Sequence, residues 1–94
     1  MSRPDHEIVD ALIRAMESEH GMSYEASLPQ QAILIESVAR MRAAGCAFSD
    51  GQIDIIGAGE ESEVEALFGG FDGYSTLHDA LDEVFDSVFD EVSS

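Results

Sequence analysis

Five carboxylates near the C-terminus, Asp79, Asp82, Glu83, Asp86 and Asp90, are related by intervals of three or four residues. Four more, Glu60, Glu61, Glu63 and Glu65, crowd a short segment upstream. Carboxylates in such numbers can shuttle protons, chelate a hard cation, or present a dense negative field to a basic partner. Proton transfer is the least diagnostic of these. With 20 Asp and Glu among 94 residues, the proximity of two acids singles out no pair.

Chelation fails on spacing. Asp50-Gly51-Gln52-Ile53-Asp54 resembles the centre of an EF-hand calcium loop. In that register the first, third and last loop positions fall on Cys46, Phe48 and Gly57, where carboxylates, including the bidentate Glu, are required. His6, His20 and His78 have no Cys or His at metal-ligand spacing, so no metal site is expected. His20 instead falls on the apolar flank at the end of a first helix, placed to pack there and to complement the helix dipole. Gly57-Ala58-Gly59 is similar to a dinucleotide loop, but Glu60 and Glu61 would repel a pyrophosphate. Phe71-Asp72-Gly73 resembles the attachment site of acyl carrier proteins, with Gly73 where the modified serine would stand. Ser75 and Thr76 read as helix caps rather than nucleophiles. No catalytic constellation and no cofactor site emerges.

The third option, a negative field, is supported by how the charge is distributed. Residues 1–42 contain all four arginines and seven acids; residues 43–94 contain thirteen acids and neither Lys nor Arg, and the two balances of −3 and −13 make up the net charge of −16. Self-repulsion of that size does not help a fold, and a one-signed surface complements the basic clefts of proteins that bind nucleic acid. The same charge repels anionic lipid, and no apolar run approaches membrane-spanning length. The solitary Cys46 suits a reducing compartment, so a soluble cytoplasmic chain is expected. Ninety-four residues, 45% of them hydrophobic, suit one small folded domain covering the whole chain.

The elements that would carry these residues are read from periodicity and caps. A first helix is expected with Pro4 in its first turn and Gly21 just after its end, with Ser2 and Asp5 as its capping pair and Ile8, Val9, Leu12, Ile13 and Met16 on one stripe. A second starts at Ser27, with Pro29 in its first turn and Gln30 in the reciprocal capping position; it runs through Ile33, Ile35, Val38 and Met41, with Arg40 and Arg42 in its last turn. Asp50-Gly51 reads as a two-residue hairpin turn, pairing Phe48 with Ile53 and Cys46 with Ile55, and Gly57 and Gly59 end the second strand. A short helix is expected over 60–68. The C-terminal helix, from Ser75 or Thr76, sets Leu77, Ala80, Leu81, Val84, Phe85, Val88 and Val92 against the acidic arc. The expected fold class is mainly α with a minor α+β character: four helices and one short β-hairpin packed across them.

Along such a helix, acids three or four residues apart recur every ~4.5–6 Å, the same order as successive phosphates on a nucleic-acid strand. A solvated face of a salt-adapted protein explains the same pattern. Tyr74 and Phe71, set among Gly69, Gly70 and Gly73, are either core residues of a glycine-rich turn or an aromatic anchor beside the arc.

In size, acidity and lack of catalytic motifs, the whole chain resembles the small phage-encoded inhibitors of bacterial defence, the anti-CRISPR proteins and DNA-mimicking anti-restriction proteins. The resemblance implies a non-enzymatic inhibitor that binds a CRISPR effector complex or another basic nucleic-acid-binding protein, without itself binding nucleic acid. The contact would be the acidic arc Asp79, Asp82, Glu83, Asp86 and Asp90, joined by Glu60, Glu61, Glu63, Glu65 and Tyr74. Two other classes stay open: a regulatory interaction module, antitoxin- or adaptor-like, with a salt-tolerant apolar interface, and a protein responsive to divalent ions.

Overall fold

The computed structural model describes residues 4–93, with side chains described for residues 4–86. Five helices follow one another: α1 (Asp5–His20), α2 (Leu28–Ala43), α3 (Asp50–Ala58), α4 (Glu61–Phe68) and α5 (Tyr74–Ser93). Among the described residues there is no strand, and the expected hairpin and its α+β character are therefore wrong.

The reason lies in residues 49–57. Ser49 makes a reciprocal capping box with Gln52: the Gln52 N–H donates to Ser49 Oγ at 3.3 Å and the Ser49 N–H donates to Gln52 Oε1 at 2.8 Å. Asp50 and Gly51 thus form the first turn of α3 instead of a hairpin turn, with Asp50 at the favourable end of the helix dipole. Ile53, Ile56 and Gly57 are buried at helical spacing. Gly57 does not end a strand; it lies inside α3, so close to α1 that a Cβ built on it would stand 2.4 Å from Ala15 Cβ. Gly59 supplies the left-handed C-cap, at φ 75°. Cys46 and Phe48 are buried, as a pleated strand would also have made them, but on a connector in which Phe48 holds φ 49°. A positive φ at a bulky residue costs on the order of 1–3 kcal/mol. Burying the phenyl ring offsets it by about 1.5–3 kcal/mol.

The remaining helices form where local signals place them. Ser27 and Gln30 make the expected capping box at the start of α2, at 3.3 and 2.8 Å. Among the described residues no side chain caps the N-terminus of α1, where Pro4 holds the cap position; Ser2 lies outside the described residues. Asp5 instead accepts a hydrogen bond from Arg42 Nη1, which joins the start of α1 to the end of α2. Arg40, half exposed, reaches Asp72 at 3.6 Å. Asp10 and Arg14, at i,i+4 spacing, form no ion pair within the described residues.

Helix α1 packs on α3 and α2, and α2 packs on α5. Between them lie Leu12, Leu34, Val38, Met41, Phe68, Leu77 and Val84, all essentially inaccessible to solvent. On α2 the buried face is Leu34, Ser37, Val38 and Met41, while Ile33 turns outward. Ser37 is satisfied locally, its hydroxyl donating to the Ile33 carbonyl at 2.8 Å. Gly73, at φ 93°, leads into α5 directly over α2: a Cβ there would lie 2.9 Å from Arg40 Cβ and 3.0 Å from the Ser37 carbonyl. The radius of gyration, 12.5 Å, matches the ~12–13 Å of a compact chain of this length.

Candidate acidic cleft

Helices α1, α3, α4 and α5 enclose a cleft of about 250 Å³. Its floor is apolar: Met16 from α1, Ile56 and Gly57 from α3, Val64 from α4, and Leu77, Leu81 and Phe85 from α5. Its rim is polar, formed by His20, Glu61, Tyr74, His78 and Asp82. The same rim opens into a shallower depression of about 270 Å³, lined by Glu61, Glu65, Tyr74, Ser75, His78 and Asp79.

The register of two helices makes this arrangement. On α4, Val64 and Phe68 are buried, which leaves Glu61 and Glu65 on the flank toward α5. On α5, burial of Leu77, Ala80 and Val84 turns Tyr74, His78 and Asp82, successive i,i+4 positions, toward α4. His78 stands at the centre. Its Nδ1 is 3.5 Å from Asp82 Oδ2 and 3.8 Å from Asp79 Oδ1, and its Nε2 is 3.9 Å from Glu61 Oε1. These carboxylates are 65–86% exposed, so each contact is weak, worth about 0–1 kcal/mol and only when the imidazole is protonated. The Tyr74 ring lies 6.0 Å from the His78 ring. Its hydroxyl is held above the ordinary phenol pKa, by burial first and then by Glu65, Glu61 and Asp82, so at neutral pH it is an uncharged donor.

Of the acids singled out in the sequence, Glu61, Glu65, Asp79 and Asp82 are brought together around Tyr74 and His78. Glu60, Glu63, Glu83 and Asp86 are exposed but line neither depression. The side chain of Asp90 lies outside the described residues. Tyr74 is half-buried, its ring forming part of both walls; Phe71 packs at 6.5 Å from the Phe68 ring, inside the turn.

Metal-ligand spacing gives no role to the two histidines of the rim, but His78 is the i,i+4 partner of both Tyr74 and Asp82, a relation legible in the sequence. His20 is exposed; its ring makes edge-on contacts with Tyr24 at 6.3 Å and Phe85 at 5.6 Å, and it contributes to the cleft rim. Nothing local reports that, because the cleft exists only where four helices meet. Among the described residues no three His, Cys, Asp or Glu side chains converge to hold a metal. None of the described helices is long and apolar enough to cross a membrane. Cys46 is buried, and burial pushes its thiol up from the ordinary value against the lowering effect of a Phe48 backbone hydrogen bond, which makes it a poor nucleophile. An apolar floor under a carboxylate rim is suited to receiving a cation that carries an apolar body.

In comparisons with known proteins the chain matches no family model, no curated protein and no solved structure, so its functional reading rests on its own residues.

Proposed function

We propose that this chain is a non-enzymatic inhibitor that acts in the cytoplasm by occupying a basic nucleic-acid-binding surface. A CRISPR effector complex or a comparable host-defence protein is the partner class. The observation that carries the reading is the convergence of exposed carboxylates from two helices, Glu61 and Glu65 of α4 with Asp79 and Asp82 of α5, in a half of the chain that contains no Lys or Arg. Such a surface competes with phosphates for a groove lined by Arg and Lys, and its affinity falls steeply as salt rises.

The test is capture of partners from nuclease-treated bacterial lysate, comparing the native chain with a Glu65→Lys/Asp79→Lys/Asp82→Lys variant. Recovery of nucleic-acid-binding proteins that salt releases, DNA competes away and the variant fails to capture supports the proposal. Undiminished capture by the folded variant refutes it.

A second reading has its own observation. Leu28 is 80% exposed and Leu67 53%, and Ile33 also turns to solvent. A salt-resistant partner, lost on Leu28→Ser/Leu67→Ser and retained by the charge-reversed variant, would mark an interaction module using these residues.

A further inference from the structure

We propose that the cleft enclosed by α1, α3, α4 and α5 is a receptor for a single arginine side chain of the partner. The inference rests on the acidic-face reading and says where on that face the partner is anchored. Three features of the cleft select this occupant.

The first is size. At about 250 Å³ the cleft falls below the ~300–1,000 Å³ of sites that enclose a drug-sized ligand, and it suits one long side chain. The second is the division of its lining. Val64, Leu77 and Leu81 form an apolar floor on which a methylene stem can lie, while Glu61 and Asp82 stand at the mouth with their carboxylates exposed. Asp82 faces the Nδ1 edge of His78 and Glu61 faces its Nε2 edge, so a cationic head emerging beside that ring has an acceptor on either hand.

The third is the aromatic wall. Tyr74 lines the cleft at the rim, where a planar guanidinium can stack on the ring while donating in plane to a carboxylate. A lysine ammonium, a compact and strongly hydrated point charge, uses the carboxylates but not the stacking surface. A neutral apolar side chain uses the floor but leaves the mouth uncompensated. Arginine alone uses all three, and it is enriched at interface hot spots that fill desolvated pockets.

The experiment is a methyl- and aromatic-detected NMR titration of the full chain at low ionic strength, with Nα-acetyl-arginine amide as probe. Nα-acetyl-citrulline amide, its uncharged isostere, is the control. Saturable shifts are expected at Val64, Leu77, Leu81 and Tyr74, with binding of the citrulline probe weaker by up to about fivefold, the upper end of what an exposed ion pair contributes. The Glu61→Gln/Asp82→Asn variant, which changes two exposed side chains and leaves the floor intact, is expected to lose the difference between the two probes. Equal binding of the two probes overturns the inference, as does a non-saturating drift spread along the acidic surface. Should the arginine probe fail while the native chain still captures basic nucleic-acid-binding proteins in a salt-sensitive way, the cleft is not the anchor and the acidic-face reading stands. Loss of that capture reading with the arginine probe still bound would leave the receptor and remove only its assignment to a nucleic-acid-binding partner.

Discussion

Replacing Gly57 with Ala tests the crossing of α1 and α3 on which the cleft floor depends. A built Cβ stands 2.4 Å from Ala15 Cβ, 3.0 Å from the Ala15 carbonyl carbon and 3.2 Å from its Cα. Carbon atoms rest at ~3.5–4.0 Å, so the two helices must separate by about 1 Å, and the obstruction is partly backbone, which cannot rotate away. Two effects oppose one another. Alanine is the better helix former by ~0.8–1 kcal/mol, while overpacking of this kind costs ~1–3 kcal/mol, toward the upper end where backbone is struck. The expected net loss is about 1–2 kcal/mol, or a fall in Tm of about 4–16 °C for a chain of this size. Gly51→Ala in the same helix is the control. Nothing lies within 4 Å of a Cβ there, so only the propensity gain remains and Tm should rise by about 2–8 °C. Thermal melts followed by circular dichroism read both. In Ala15→Gly/Gly57→Ala the 2.4 Å contact is gone, and the double variant should be more stable than the two single effects summed, by ~0.5 kcal/mol or more. If Gly57→Ala melts as high as Gly51→Ala, α1 and α3 do not cross at Gly57 and the geometry of the cleft floor is wrong.

Other expectations follow from the same contacts. Among the described residues the buried Tyr24 hydroxyl has no hydrogen-bond partner, so Tyr24→Phe should be neutral or stabilising by up to ~1–3 kcal/mol in chemical denaturation; a loss of more than ~1 kcal/mol would show that the hydroxyl is satisfied. Burial raises the Tyr24 phenol above its ordinary 10.0, so the unfolded chain ionises first. The stability this gives is whole below pH 10 and declines as pH rises through the folded-state pKa, a decline that Tyr24→Phe should lessen in melts taken above pH 10. Gly73→Ala combines an unfavourable φ of 93° with a Cβ 2.9 Å from Arg40 Cβ, and should lower Tm by about 4 °C or more; an unchanged melt would contradict the packing of the α5 entry on α2. Asp86→Lys replaces a like-charge i,i+4 pair with Asp82 by an attractive one on an exposed surface. It should stabilise the chain by about 0.4–1 kcal/mol at low salt and by less at high salt, which melts at two ionic strengths will check.

What the sequence determined by itself is local. The capping box of Ser27 and Gln30, the stop at Gly21, the apolar stripes of α1 and α5 and the boundaries of α4 are legible because each depends on residues within a turn or two of one another. The charge asymmetry is legible for the same reason, since it is a property of composition. Residues 46–57 were misread because their local signals are consistent with two structures. Asp50-Gly51 suits a hairpin turn as well as a first helical turn, and Cys46 and Phe48 are buried in either. In the structure the Ser49–Gln52 capping box starts a helix there, and Ile53, Ile56 and Gly57 reveal their common face only against Ala15, about forty positions earlier in the chain. The candidate site divides in the same way. Its acids are visible as a list, yet which of them share a surface depends on where packing places α4 beside α5. Tertiary packing alone therefore separates Glu61, Glu65, Asp79 and Asp82 from the other carboxylates, adds His20 and His78, and encloses an apolar cleft beneath them. A helix follows from contacts a few residues apart, whereas a cleft requires several helices to pack at once.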